Sequence, residues 1–342
     1  GYLGGRCKEL CRCLLPCPQA SLCSQRWYDV SLEVAGMTRE VNGDVPSVVT
    51  TFGTGPQAVP ALSLSDINDD NMAGGIRTSV AFLCGPGGNL ELTYLGGHEW
   101  NDSASVYSDT SNLYSFISDF GDIAGFDDVD QSIRQTLISE GRFHSGELNY
   151  RRRTMFPYCR FQSSWLVGLR LLRYDDRLIY ETEGDENNSV NDSLRFYQSN
   201  SRVKNKLFGP QAGFDFWWNV CAGFSMGLGL KGAVMQNDTD RDQVVTGNSL
   251  DLGFPGSFSA SDGDQRSTFM TDFELKMIYR ITYSCTLRAS YFAITADDIA
   301  SGNVDQSLAF AAQDPSFASS IRPLVYDNMT FQGLTFGAEY LW

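Results

Sequence analysis

The clearest pattern in this chain is a strict alternation of oily and wet side chains, recurring from near residue 28 to the last residue. Period two belongs to a β-strand whose two faces meet different surroundings. In the first such segment Tyr28, Val30, Leu32 and Val34 share one face, and Asp29, Ser31 and Glu33 share the other. Two more segments form a hairpin about Gly85-Pro86-Gly87-Gly88, with Thr78, Val80 and Phe82 answered by Leu90, Leu92 and Tyr94. The alternation returns at about 142–154 (Leu148, Tyr150) and 161–174 (Trp165, Val167, Leu169, Leu171). Phe214, Phe216 and Trp218 follow, then Phe224, Met226, Leu228 and Leu230. The series ends with Phe273, Leu275, Met277 and Tyr279, then Leu287, Ala289, Tyr291 and Ala293, and finally Leu334, Phe336, Ala338, Tyr340 and Trp342, making ten segments.

The links between segments alternate between very short and very long. Turns near 85–88, 155–160, 219–221 and 282–284 separate loops near 36–73, 100–141, 175–203, 236–265 and 298–328, which hold 29 to 42 residues. Barrels of the outer membrane sort their connections this way, with short periplasmic turns and long outer loops. The expectation is an all-β, antiparallel up-and-down transmembrane barrel of about ten strands over residues 26–342, with both termini periplasmic.

Composition agrees: 33 Gly, 22 Phe, 15 Tyr and 6 Trp suit many strands and tight turns. No window holds eighteen uncharged apolar residues, so no helical span is expected, whereas a barrel strand needs only alternate apolar residues over about ten positions. The chain begins without an export signal, which is expected to have been removed already. A formal charge of -15 argues against a nucleic-acid partner. The five long loops carry 30 acidic and 7 basic residues, a net of -23, leaving +8 elsewhere. Runs such as Asp66-Ile67-Asn68-Asp69-Asp70-Asn71 and Asp127-Asp128-Val129-Asp130 could hold calcium weakly, although their spacing is not that of an EF-hand and a solvated loop is the plainer reading. No other cofactor is expected.

The wet parity assigns eight acids to the lumen: Asp29, Glu33, Glu91, Glu147, Asp215, Asp272, Glu274 and Glu339. Eight bases join them: Arg77, Arg151, Arg153, Arg170, Lys231, Lys276, Arg280 and Arg288. Such a balance predicts ion pairs across a narrow or closed lumen, because a barrel of about ten strands leaves little more than side-chain room. That favours a structural or porin-like role over free passage.

The last strand, Gly333 to Trp342, ends on an aromatic residue with Phe336 and Tyr340 in the same row, and is similar to the signal read by outer-membrane assembly machinery. Together with GIRTSVAFLCGPGGNLELTYLGGHEW (75–100), ELNYRRR (147–153), SWLVGLR (164–170) and GPQAGFDF (209–216), it makes residues 27–342 resemble a family of β-barrel porins of planctomycete outer membranes. The resemblance implies an outer-membrane location and a channel or structural role, with no catalytic residues.

Five of the nine cysteines, Cys7, Cys11, Cys13, Cys17 and Cys23, crowd into residues 1–25, and Cys84, Cys159, Cys221 and Cys285 fall in or beside the short turns. All nine then lie at one end, and a periplasmic cap stapled by disulfides to each turn is expected, with one cysteine left over or joined to a neighbouring chain. The spacing matches neither a common zinc site nor a haem attachment. His98 and His144, near the rim on adjacent strands with Glu99 and Asp102 nearby, raise the alternative of a protease-like barrel, but two histidines among many loop acids are expected by chance. A further alternative is an interaction barrel acting through its cap or acidic loops. Five Asn-x-Ser/Thr triplets, at Asn101, Asn187, Asn191, Asn237 and Asn328, fall in expected loops and reflect composition.

Overall fold

The computed structural model describes residues 28–42, 48–67, 71–85, 87–121, 129–154, 160–185, 189–190, 193–221, 223–251, 254–282, 284–302 and 324–341. The residues expected to form the N-terminal cap lie outside them. Ten long strands make the wall: β1 (Tyr28–Asn42), β2 (Ala73–Leu83), β3 (Gly88–Tyr107), β4 (Ser132–Arg153), β5 (Phe161–Gly184), β6 (Phe196–Cys221), β7 (Phe224–Asp251), β8 (Phe254–Arg280), β9 (Cys285–Ala300) and β10 (Tyr326–Leu341). Each pairs antiparallel with its neighbours in sequence, and β1 closes on β10 from Asp29↔Leu341 to Asn42↔Asn328. The ring has no free edge, so every wall strand has hydrogen-bonding neighbours on both sides.

The surface is inverted relative to a protein packed in water. Outward side chains such as Leu171 (60% exposed) and Phe336 (64%) stand clear of the wall, while inward Arg170 (1%), Glu33 (2%) and Asp215 (2%) are buried. Only a lipid surround makes that arrangement favourable, so this is a transmembrane β-barrel. Pairs such as Phe161–Phe216, stacked at 5.5 Å, and Tyr150–Trp165 at 6.1 Å link neighbouring strands in the belt.

The strands run much farther than the oily alternation predicts. β7 and β8 are 28 and 27 residues long and consume nearly all of the loop expected at 236–265, and β6 reaches back to Phe196. Beyond Val234 the outward row of β7 becomes Gln236, Asp238, Asp240 and Asp242, so alternation of oil with water ceases while the ladder continues. Part of the expected acidic loop charge therefore stands on wall strands. Asn101, Asn237 and Asn328 are likewise in strands rather than loops, and Asn237 is fully buried.

At the loop end, Val48–Phe52, Val59–Ser63 and Leu113–Ser115 form a small sheet joined to β4 at Ser132. Val49, Leu62, Ile67 and Ile117 pack there against Leu137, Leu178, Tyr180 and Val245 of the wall. Tyr180, fully buried there, donates its hydroxyl to Gln135 Oε1 at 2.7 Å.

The lipid assignment predicts a depth-dependent cost. Val167→Arg, near the middle of the β5 apolar row, should destabilise the barrel by about 2–4 kcal/mol, whereas Lys204→Gln above the belt should change little. Urea unfolding in phospholipid vesicles measures both, and equal costs would contradict the belt.

Candidate functional site

The lumen is stratified along the barrel axis. Nearest the short turns is a cavity of ≈ 540 Å³ whose lining includes Asp29, Arg153, Trp217, Asn219, Arg280 and Glu339. Its inner wall is an ion-pair lattice to which the inward parity of all ten strands contributes. Arg77 of β2 donates twice to Glu274 of β8, which also accepts from Lys276 at 3.0 Å. Lys276 reaches Asp215 of β6 at 2.9 Å, Asp215 pairs with Arg151 of β4, and Arg151 meets Glu91 of β3 at 2.8 Å.

A second group joins Arg170 of β5 to Asp272 at 2.8 Å and Lys231 of β7 to Glu147 at 3.0 Å, with Gln211 donating to Glu147 at 2.9 Å. Arg288 of β9 spans Glu33 at 3.1 Å and Glu339 at 3.5 Å, and Thr335 donates to Glu33 at 2.5 Å. Buried charges in so low a dielectric need such multiple partners. Of the sixteen charges assigned to the lumen by parity, Arg153 and Arg280 differ from the rest: both are exposed, at the turn-end lip.

Above the lattice the inward row becomes apolar. Phe331 of β10 sits at its centre, 4.8 Å from Phe143, 5.3 Å from Tyr174 and 6.3 Å from Trp100 between ring centroids. Met37, Leu172, Leu207, Met235, Met270, Phe292 and Met329 complete the layer, each at most 2% exposed. Sequence reading missed these residues. The available signal was the continuation of inward parity past the belt: Leu172 to Tyr174, Ala233 to Met235, Phe292 to Ile294 and Met329 to Phe331 turn apolar near where the outward row turns polar. The expected continuous polar column is therefore corrected: an apolar layer interrupts it between the turn-end lattice and the ion pairs of Arg39 nearer the loops.

Farther toward the loops Arg39 donates to Tyr174 at 3.0 Å, Asp176 at 3.1 Å and Ser139 at 2.6 Å, and lies 5.7 Å over the Trp100 ring. Asn205 and Ala300 exchange hydrogen bonds of 2.7 and 3.0 Å, fastening the end of β9 across the interior.

His98 and His144 do not form a rim pair. Gly97, at φ 81°, is an extra residue in β3 between the pairings Gly96↔His144 and His98↔Phe143, and this bulge turns His98 inward. His98 is fully buried, 6.2 Å from both Trp100 and Phe143, whereas His144 accepts or donates at Tyr94 on the other side of the wall, at 2.9 Å. Asp102 hydrogen-bonds Asn71 at 2.6 Å and Glu99 pairs with Arg142 at 3.4 Å, so neither orients a histidine.

Cys84 and Cys285 are free thiols, so the expected staple is not met at these two turns. Cys7, Cys11, Cys13, Cys17, Cys23 and Cys159 lie outside the described residues, as do Asp69, Asp70, Asp127 and Asp128 of the acidic runs. Among the described residues no group of His, Cys, Asp and Glu is arranged to hold a metal. Phe336 and Tyr340 face outward in the belt, and Trp342 lies outside the described residues.

No protein-family model and no curated protein matches the chain, so the resemblance to planctomycete porins has no match behind it. Among solved structures it is similar to the outer membrane protease OmpT from Escherichia coli, at 9% identity, with 92% of this chain and 96% of that one covered and a TM-score of 0.45. The translocator domain of autotransporter NalP from Neisseria meningitidis gives 9%, 99%, 96% and 0.36, and the Pseudomonas putida toluene transporter TodX 8%, 96%, 93% and 0.34. Likeness at this level carries no argument about activity or cargo.

The lattice predicts strong coupling between Arg170 and Asp272. Arg170→Met should cost about 3–5 kcal/mol by stranding buried carboxylates, and Arg170→Met with Asp272→Leu should recover much of it. A urea-unfolding cycle giving additive losses would contradict the pairing.

Proposed function

We propose that this protein serves in a bacterial outer membrane as a closed, structural barrel rather than an open pore, with the turn end periplasmic and the loop end outside. The observation that carries this reading is the apolar layer around Phe331, which fills the lumen between the ionic turn-end half and the loop-end lobe. Water and ions find no polar path through such a layer, and a hydrophobic constriction blocks conduction by staying dry. The lattice beneath adds rigidity, since each buried charge is tied to strands on other parts of the wall.

In this role the belt's partner is outer-membrane lipid, and the outward row of β10, with Phe336 and Tyr340, is the surface offered to the assembly machinery. The histidines act as packing groups, His98 inside the aromatic layer and His144 on the outer wall.

Planar-bilayer recording of the purified protein tests the reading. Wild type should show no stable conductance step, and Phe331→Ala with Phe143→Ala should admit current by opening the layer. Stable open steps from wild type would overturn the closed-barrel function.

A further inference from the structure

We propose that the turn-end cavity is a binding site for a compact multivalent anion, of the diphosphate or polycarboxylate class. At ≈ 540 Å³ it has the size of a small-molecule site, which is commonly about 300–1,000 Å³. Seven basic and four acidic side chains line it, a formal +3. The further lumen acids Glu33, Asp215, Asp272 and Glu274 offset this count and are each engaged by a lattice cation. Five of the seven lining bases, Arg77, Arg151, Lys231, Lys276 and Arg288, are held in ion pairs, which leaves Arg153 and Arg280 as the lining cations without one among the described residues.

Two arginines supply the recognition. Arg153 ends β4 and Arg280 ends β8, four strands apart around a ring of ten, so they stand on nearly opposite walls. Both are exposed, and neither makes an ion pair among the described residues. Their backbones are fixed: Arg153 N–H donates to Gly87 O and Arg280 N–H to Gly223 O, each at 2.8 Å. Arg153 Nη2 reaches only the Asn89 amide oxygen, at 3.2 Å with that amide turned toward it.

A guanidinium fork matches the paired oxygens of phosphate or carboxylate. Held on a concave, low-dielectric wall, two forks focus the field on an anion between them. A single carboxylate satisfies one fork, whereas a ligand with two anionic groups engages both. Trp217 and Asn219 in the same lining offer a flat apolar face and an amide to the remainder of the ligand. Because the lattice and the Phe331 layer close the inner end, the ligand is held rather than passed. The assignment rests on the cavity alone and stands whether or not the barrel is a structural component of an outer membrane.

Calorimetric titration of the full chain in zwitterionic detergent with pyrophosphate tests it. Saturable binding at one site is expected, weakening with added salt and displaced by citrate. Arg153→Gln and Arg280→Gln should each weaken it about tenfold, while Arg177→Gln at the loop end leaves it unchanged. No saturable heat from wild type would overturn the proposal, as would unchanged affinity in a folded Arg153→Gln/Arg280→Gln double variant. If only phosphatidylglycerol in nanodiscs binds, and only through these arginines, the cavity is a lipid-headgroup site and the soluble-anion assignment fails. A conducting wild-type barrel would leave these outcomes intact, so the two readings fail separately.

Discussion

Closure of β1 on β10 is the constraint from which the rest of the structure follows. In hydrocarbon no water is available to satisfy a strand edge, so the first and last strands must pair along their length. They do so over Asp29–Asn42 and Asn328–Leu341, opposed at residues as different as Glu33 and Gly337. With ten strands the radius is fixed, and a barrel of that size has an interior that side chains can nearly fill. The charges and rings that project inward must then satisfy one another. The ion pairs of Arg77, Lys276 and Asp215 and the contacts of Phe331 with Phe143 and Tyr174 are therefore consequences of closure.

The fold was legible in the sequence wherever the outward row is oily. Leu148, Trp165, Phe214 and Met277 announce the lipid face, and Arg170 and Glu274, of the opposite parity, are buried. Legibility failed where the outward row becomes polar, because Gln236 to Asp242 in β7 look like loop although their ladder to β8 continues unbroken. A strand with water outside and packed side chains inside inverts the pattern, and its inward Met235 and Val245 then resemble scattered apolar residues. His98 failed for a different reason. One glycine, Gly97, shifts parity by a single residue, and only the pair Gly96-Gly97 within a strand hints at a bulge.

The two ends of the lumen are chemically unlike. Toward the turns it opens into a cavity with two exposed arginines at its lip, and toward the loops it is sealed by rings, by Arg39 bridging Tyr174 and Asp176, and by a small sheet seated on β4. This polarity is what a barrel needs if it is to admit something at one mouth and release nothing at the other.

The described methionines sample all of these surroundings, and their methyl resonances give the most direct test of a sealed lumen. Met226 and Met277 stand in the belt, Met72 is exposed at the loop end, and Met37, Met235, Met270 and Met329 are at most 1% exposed within the lumen. With methyl-labelled protein in a bilayer mimic, a lipid-soluble nitroxide should broaden Met226 and Met277, a water-soluble gadolinium chelate should broaden Met72, and neither should reach the four lumen methyls. Broadening of Met235 and Met329 by the aqueous reagent would place water where the account puts a dry aromatic layer, and would contradict it.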